Sequence, residues 1–155
     1  MSDYFYKLIL TSLSVTCFGL MDRMKKMTVT VSSFGGALTF TAEYILLTKT
    51  ENIFLVYFLS ACITCLYSEI MARIIKTPVT VIMLPAIIPL VPGSLIYRAM
   101  KGLLEKNSSA YMSNLVEVLL SAGGIASAAA LCGAAATLYK KMINFWLDKL
   151  SETKV

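Results

Sequence analysis

Histidine is missing from the chain altogether, and only 15% of its 155 residues are charged. Without imidazole, a zinc or haem site of the usual kind is excluded. There is no Gly-x-Ser-x-Gly elbow, no paired-carboxylate pattern and no ATP-binding loop, so the chain reads as a non-enzyme without cofactor or metal. Cysteine is sparse: Cys17, Cys62, Cys65 and Cys132 all fall inside apolar stretches. The CITC run at 62–65 has no second pair beside it, so these thiols are read as packing groups rather than redox or metal chemistry. Charge this thin cannot clothe a soluble domain of this size. No cleavable leader pattern is expected at the start, and neither an internal repeat nor a low-complexity linker divides the chain.

What is present is apolar: 57% hydrophobic residues and a mean hydropathy of +0.74. The fold class expected is all-α, a polytopic integral membrane protein of four to five transmembrane helices, forming a single membrane domain over 1–155. The apolar segments cover roughly 4–21, 28–47, 53–75, 78–104 and 111–139, each near the ~20 residues a bilayer needs. The second is the least apolar, being rich in Ser and Thr and carrying Glu43. Tyr4, Phe5 and Tyr6 form an aromatic cluster suited to the interface. The tail, 140–155, sets Ile143, Trp146, Leu147 and Leu150 on one helical face. That pattern fits an amphipathic helix on the membrane surface, or one docked on a partner.

The net charge of +5 is distributed between apolar segments, so it speaks for topology and not for nucleic acid. With five crossings, 9 of the 14 basic residues fall on the side of the first and third loops and the C-terminus. The positive-inside rule then puts the C-terminus in the cytoplasm and the N-terminus outside. If the second segment does not cross, the N-terminus moves inside.

The stretch 78–97, PVTVIMLPAIIPLVPGSLIY, has no charge but holds every proline of the chain, at 78, 85, 89 and 92, followed by Gly93. Proline removes a backbone donor and clashes with the turn before it, so no continuous helix is expected here. Broken backbone at membrane depth survives only where protein buries it or where it lines a wet cavity. The segment is therefore the expected transport or gating element. Free backbone groups around Pro85, Ile88, Pro89, Pro92 and Gly93 would face substrate, and the helix start near Ser94 would favour a carboxylate.

Several side chains carry two readings each. Glu43 and Glu117 are proton-coupling candidates, since an intramembrane carboxylate often marks an ion path; an interfacial, solvated position is the plainer reading. Asn114 and Ser121 flank Glu117 at one-turn spacing. Arg98 can grip a substrate carboxylate with two parallel bonds, or can snorkel to the interface. Glu69 and Arg73 stand one turn apart and can simply pair. Gly124, Ala128, Cys132 and Ala136 form a small-residue ridge at four-residue spacing. Such a ridge packs helices closely, within the chain, against a second subunit, or along a sliding surface.

The run 85–100, PAIIPLVPGSLIYRAM, resembles the threonine/serine exporter (ThrE-type) family. More closely, the chain is similar to that family's short split subunit, which corresponds to the C-terminal membrane half of fused exporters and includes a YjjB-like form associated with succinate. Pro85, Ile88, Pro89, Pro92 and Gly93 carry the motif. The resemblance implies a transporter in the cell membrane, exporting threonine, serine or a dicarboxylate such as succinate. It also implies a partner: a second membrane subunit resembling the N-terminal half of the fused form. Absent an ATP-binding loop, export driven by a gradient is expected. A non-transporting scaffold and a homo-oligomeric channel are the alternatives.

Overall fold

The computed structural model describes the backbone of residues 2–152 and the side chains of 4–138, 141 and 142. Among the described residues every element is helical: α1 (Ser2–Met21), α2 (Lys26–Lys49), α3 (Ile53–Ile75), α4 (Val79–Ile87), a 3-10 turn (Ile88–Leu90), α5 (Gly93–Leu104) and α6 (Ser108–Glu152). Three stretches are long and apolar enough to cross a bilayer: Tyr4–Met21, Ile53–Ile75 and Ser108–Leu138. Val79–Leu90 and Gly93–Leu104 qualify together as one broken span, bent by 47°. The chain is thus a polytopic helical membrane protein with up to four such spans by length and composition.

α2, with 24 residues, is about as long as α3 but falls short in hydropathy. Its position explains why. α2 packs on α1, α3, α4 and the 3-10 turn, so it is shielded by protein on several sides. Its buried face is Thr28, Val29, Ser32, Gly35, Gly36 and Thr39. Small and hydroxylic side chains let backbones approach and supply cross-helix hydrogen bonds, which hold helices together where lipid offers no hydrophobic drive. At Gly35 an added Cβ would come within 2.8 Å of the Tyr67 ring and 3.1 Å of Ala86, so only glycine lets α3 and α4 close on α2.

The bonds follow the same face. The Thr39 and Thr64 hydroxyls meet at 2.6 Å in the buried α2–α3 contact: one donates to the other, and the accepting hydroxyl gives its own proton to a carbonyl of its own helix. Tyr67 donates to the Val31 carbonyl at 2.9 Å. On the α1 side, Thr16 donates to Ser33 and the Tyr4 hydroxyl pairs with Thr41, both at 2.9 Å. Tyr4 also lies over Phe40 and Tyr44, so one ring of the N-terminal aromatic cluster is held by α2, while Phe5 and Tyr6 point outward.

Three helices end alike. Arg23, Lys76 and Lys106 sit at positive φ, and the next amide returns to the carbonyl five residues back, as in Met24 to Gly19, Thr77 to Ala72 and Asn107 to Gly102. This closes otherwise orphaned carbonyls at each helix end. Asn107 then accepts from the Ala110 amide and starts α6.

The proline segment breaks in two steps. Pro89 has no N–H for the Pro85 carbonyl, and the Ile88 amide takes that carbonyl instead, tightening the chain into a 3-10 turn. Val91, ahead of Pro92, is then forced extended at φ −62° and ψ 120°. Helix resumes at Gly93. The tail does not form a separate element: α6 runs unbroken through Glu152. The apolar face read at Ile143, Trp146, Leu147 and Leu150 lies outside the described side chains.

Candidate functional site

α3 and α6 form the most extensive helix pair and run in the same direction. The ridge on α6 meets α3 in step. Gly124 lies against Phe54, Tyr57 and Phe58, and a Cβ there would come 2.9 Å from the Phe54 carbonyl oxygen and 3.1 Å from the Phe58 nitrogen. One turn on, Ala128 packs with Ala61 in the core cluster. Another turn on, Cys132 neighbours Cys62 and Cys65. A further turn brings Ala136 to a cleft shared with Glu69. The small-residue ridge is therefore placed against the chain's own α3.

Near the start of α3 this seam gathers titratable groups. Glu43, from the end of α2, faces the Tyr57 side chain within electrostatic reach. Glu117, from the early turns of α6, lies within electrostatic reach of the same side chain. Tyr57 is buried and both carboxylates are half-buried. Asn114 bonds the Ala110 carbonyl at 2.6 Å and Ser121 the Val118 carbonyl at 2.9 Å, so that stripe satisfies its own helix.

The broken span touches this cluster through Leu90, fully buried and packed with Tyr57, Ala61 and Ala128. The motif residues divide. Pro85 and Pro92 are buried, and Ile88 and Pro89 line a small cleft of about 280 Å³ against Leu10, Thr11, Ser14 and Val15 of α1. Gly93, Ser94 and Arg98 are exposed, and none lines either of the two large clefts. The helix start at Ser94 and the guanidinium of Arg98 are thus on the outer surface, apart from the carboxylates.

At the far end of the seam, α3, α4 and α6 enclose a cleft of about 530 Å³. Glu69 and Arg73 line it together with Thr80, Met83, Gly133 and Thr137, among others. Arg73 donates to Glu69 Oε1 through Nε at 3.1 Å and Nη2 at 2.7 Å. The other large cleft, about 880 Å³ between α1, α2 and α3, is walled mostly by aliphatic side chains and Phe34, with Thr41 and Cys62, and presents no charge. Among the described residues, no group of three or more Cys, Asp or Glu side chains is arranged to hold a metal ion.

Sequence reasoning named both carboxylates but missed Tyr57 and Leu90, which look like ordinary core residues in an apolar run. It saw Glu69 and Arg73 only as a helical pair, since the cleft around them comes from α4 and α6.

The described helices define the class: a polytopic helical membrane protein with a proline-broken span. The family follows: the model described as Threonine/Serine exporter, ThrE, matches residues 7–135, and the chain belongs to that family. Neither a curated protein nor a solved structure matches it.

Proposed function

We propose that the chain is the membrane subunit of a gradient-driven exporter of small carboxylate-bearing solutes, with threonine, serine and succinate as the substrates to test. One observation carries this reading: carboxylates 74 positions apart, Glu43 and Glu117, converge on one buried hydroxyl, Tyr57, where the broken span seats Leu90. A proton taken up by a half-buried carboxylate beside Tyr57 alters the charge at the seam, which is the change a proton-coupled carrier needs. Loading and releasing that proton from opposite sides gives export its driving force. Substrate and proton compete for arrangements of the same helices, which is how a carrier couples two flows.

In this reading the chain works in the cell membrane with its C-terminus in the cytoplasm, beside a second membrane subunit resembling the N-terminal half of fused exporters. The test is efflux of labelled threonine, serine and succinate from loaded cells expressing this chain and that partner, with an imposed pH gradient. Glu117→Gln and Tyr57→Phe, at equal expression, are expected to cut gradient-driven efflux at least tenfold while leaving counterflow exchange measurable. Full gradient-driven efflux by Glu117→Gln would remove that carboxylate from the mechanism. A C-terminal fluorescent-protein fusion should fluoresce, and an active alkaline phosphatase fusion at the same point would overturn the orientation.

A further inference from the structure

We propose that α5 is an interfacial helix whose apolar strip lies on lipid tails and whose basic strip, Ser94, Arg98 and Lys101, holds the phosphate of an anionic lipid head group. This surface does not depend on what solute the chain moves.

The level of α5 in the bundle comes from its neighbours. α3 has 23 residues, about 34 Å, which matches the ~30 Å hydrocarbon core with little to spare. α6 meets α3 in step, with Ala128 beside Ala61, so Leu120 stands opposite Ile53, where α3 begins. The part of α6 before that, residues 108–119, projects about 18 Å past the start of α3. α5 packs on this projecting part. A Cβ on Gly102 would come 2.9 Å from the Tyr111 nitrogen and 3.4 Å from the Ala110 carbonyl carbon. Leu90 stands at the level of Tyr57, and the 47° bend that follows carries the chain out beside α6 rather than on along α3. α5 is therefore at the edge of the core.

Its surface divides in three. Each residue turns about 100°, so Ser94, Arg98, Lys101 and Glu105 fall within about 60° of one another, and all four are exposed. Ile96, Met100, Leu103 and Leu104 cover the opposite side and are exposed as well. Ala99 and Gly102, both buried, fill one flank between these strips and face α6. An upright helix has no reason to set charge against leucine on two exposed sides, because both would meet the same layers. A helix lying in the interface does: one side meets head groups, the opposite side meets tails, and a flank meets protein. Exposed Tyr97 sits on the free flank where the two strips join, the place for a ring with a polar tip.

Charge selects the ligand. Among the described residues Arg98 has no carboxylate within ion-pair distance, and Lys101 reaches Glu105 only at 3.7 Å, between two exposed side chains. A pair of that kind contributes little and leaves the ammonium available. The guanidinium fork suits two phosphate oxygens, and Lys101 adds a point charge one turn further on. The Ser94 hydroxyl supplies a donor one turn before. A zwitterionic head group would bring its own cation to the same strip, so an anionic lipid is favoured.

The test is fluorescence of the full chain in lipid nanodiscs. Trp146→Phe removes the single tryptophan, and Ile96→Trp, Met100→Trp and Leu103→Trp are then read one at a time against lipids brominated at known depths. The three positions should lie within about 4 Å of one depth, near the core edge, whereas a helix continuing the crossing would spread them by about 10 Å. Brominated phosphatidylglycerol should quench more strongly than brominated phosphatidylcholine at equal fraction, showing local enrichment of the anionic lipid. Arg98→Gln and Lys101→Gln should each cut that enrichment by up to about fivefold, and Arg98→Lys should cut it less. Thermal unfolding of each variant separates loss of fold from loss of the site. Depths spread along the membrane normal would overturn the interfacial placement. Enrichment unchanged in Arg98→Gln with Lys101→Gln would overturn the lipid site. So would its loss on adding inorganic phosphate at constant ionic strength, the mark of a free-anion site. Absence of quenching at all three positions would show protein, and not lipid, against the apolar strip and would overturn the proposal too.

Discussion

Alanine at position 124 separates close packing of the α3–α6 seam from mere proximity, because the same helix carries its own control at Gly133. A Cβ on residue 124 would stand 2.9 Å from the Phe54 carbonyl oxygen, 3.1 Å from the Phe58 nitrogen and 3.3 Å from Tyr57 Cβ. Two of these are backbone atoms, which cannot swing aside as a side chain would. Relief requires the helices to separate by about half an ångström, and a gap of that order forfeits a quarter or more of each van der Waals contact along the seam. Overpacking of this kind costs about 1–3 kcal/mol. Against it stands the preference of helix for alanine over glycine, about 1 kcal/mol. Gly124→Ala should therefore destabilise by up to about 2 kcal/mol. Gly133 has nothing within 4 Å, so Gly133→Ala keeps the propensity gain and should stabilise by up to about 1 kcal/mol. The assay is reversible unfolding of the purified chain in mixed micelles on titration with SDS, followed by circular dichroism. Equal stability of the two variants would refute a close-packed seam, and with it the in-step pairing of Tyr57, Ala61 and Cys65 with the α6 ridge.

Three more outcomes are expected from the same unfolding measurement. Thr39→Val or Thr64→Val alone should cost about 1 kcal/mol, since each deprives a buried hydroxyl of its cross-helix partner. The double variant should lose less than the sum, and strict additivity in that cycle would show no coupling between the two hydroxyls. Leu90→Ala empties a fully buried position among Tyr57, Ala61 and Ala128, and should cost about 2–4 kcal/mol, with threonine efflux slowed as well. A smaller loss than Leu84→Ala, an exposed site one side of the break, would remove Leu90 as the anchor of the broken span. Lys76→Gly relieves a left-handed residue at φ 56° and should stabilise by up to about 1 kcal/mol, whereas destabilisation would show that the lysine side chain matters more than its backbone.

The helices were legible because membrane helices are written in long apolar runs, and the break was legible because proline has an unambiguous effect on backbone bonding. α2 was the hardest to read for a physical reason. A helix covered by other helices need not be apolar, and Ser32, Gly35, Gly36 and Thr39 serve packing and cross-helix bonding where leucine would serve lipid. The hydropathy that signals a span thus weakens for the helix most enclosed by protein. The site was half legible. Glu43 and Glu117 stand out in apolar surroundings, but nothing local says that they share a neighbour. Tyr57 and Leu90 carry no local signal at all, since their importance arises only when α2, α6 and the 3-10 turn arrive at the same place on α3.

That arrival also gives the proline motif a packing role beside the chemistry expected of it. A run of prolines in a membrane segment suggests that the break itself holds the substrate, through exposed carbonyls and a helix start. Here Pro85 and Pro92 are buried, and Ser94 and Arg98 are exposed. The effect of the break is geometric. The 3-10 turn ends α4 and carries Leu90 beside Tyr57 at one end, while Val79, Thr80 and Met83 wall the ion-pair cleft at the other. One short rigid piece, α4 with its turn, therefore touches both Tyr57 and the cleft of the Glu69–Arg73 pair. A shift of that piece that loosened Leu90 would also reshape the cleft wall, because packed helices move as bodies and not as independent side chains. The prolines, on this argument, matter for making that piece short and stiff. Substituting them should alter the coupling between proton and solute before it alters which solute is bound.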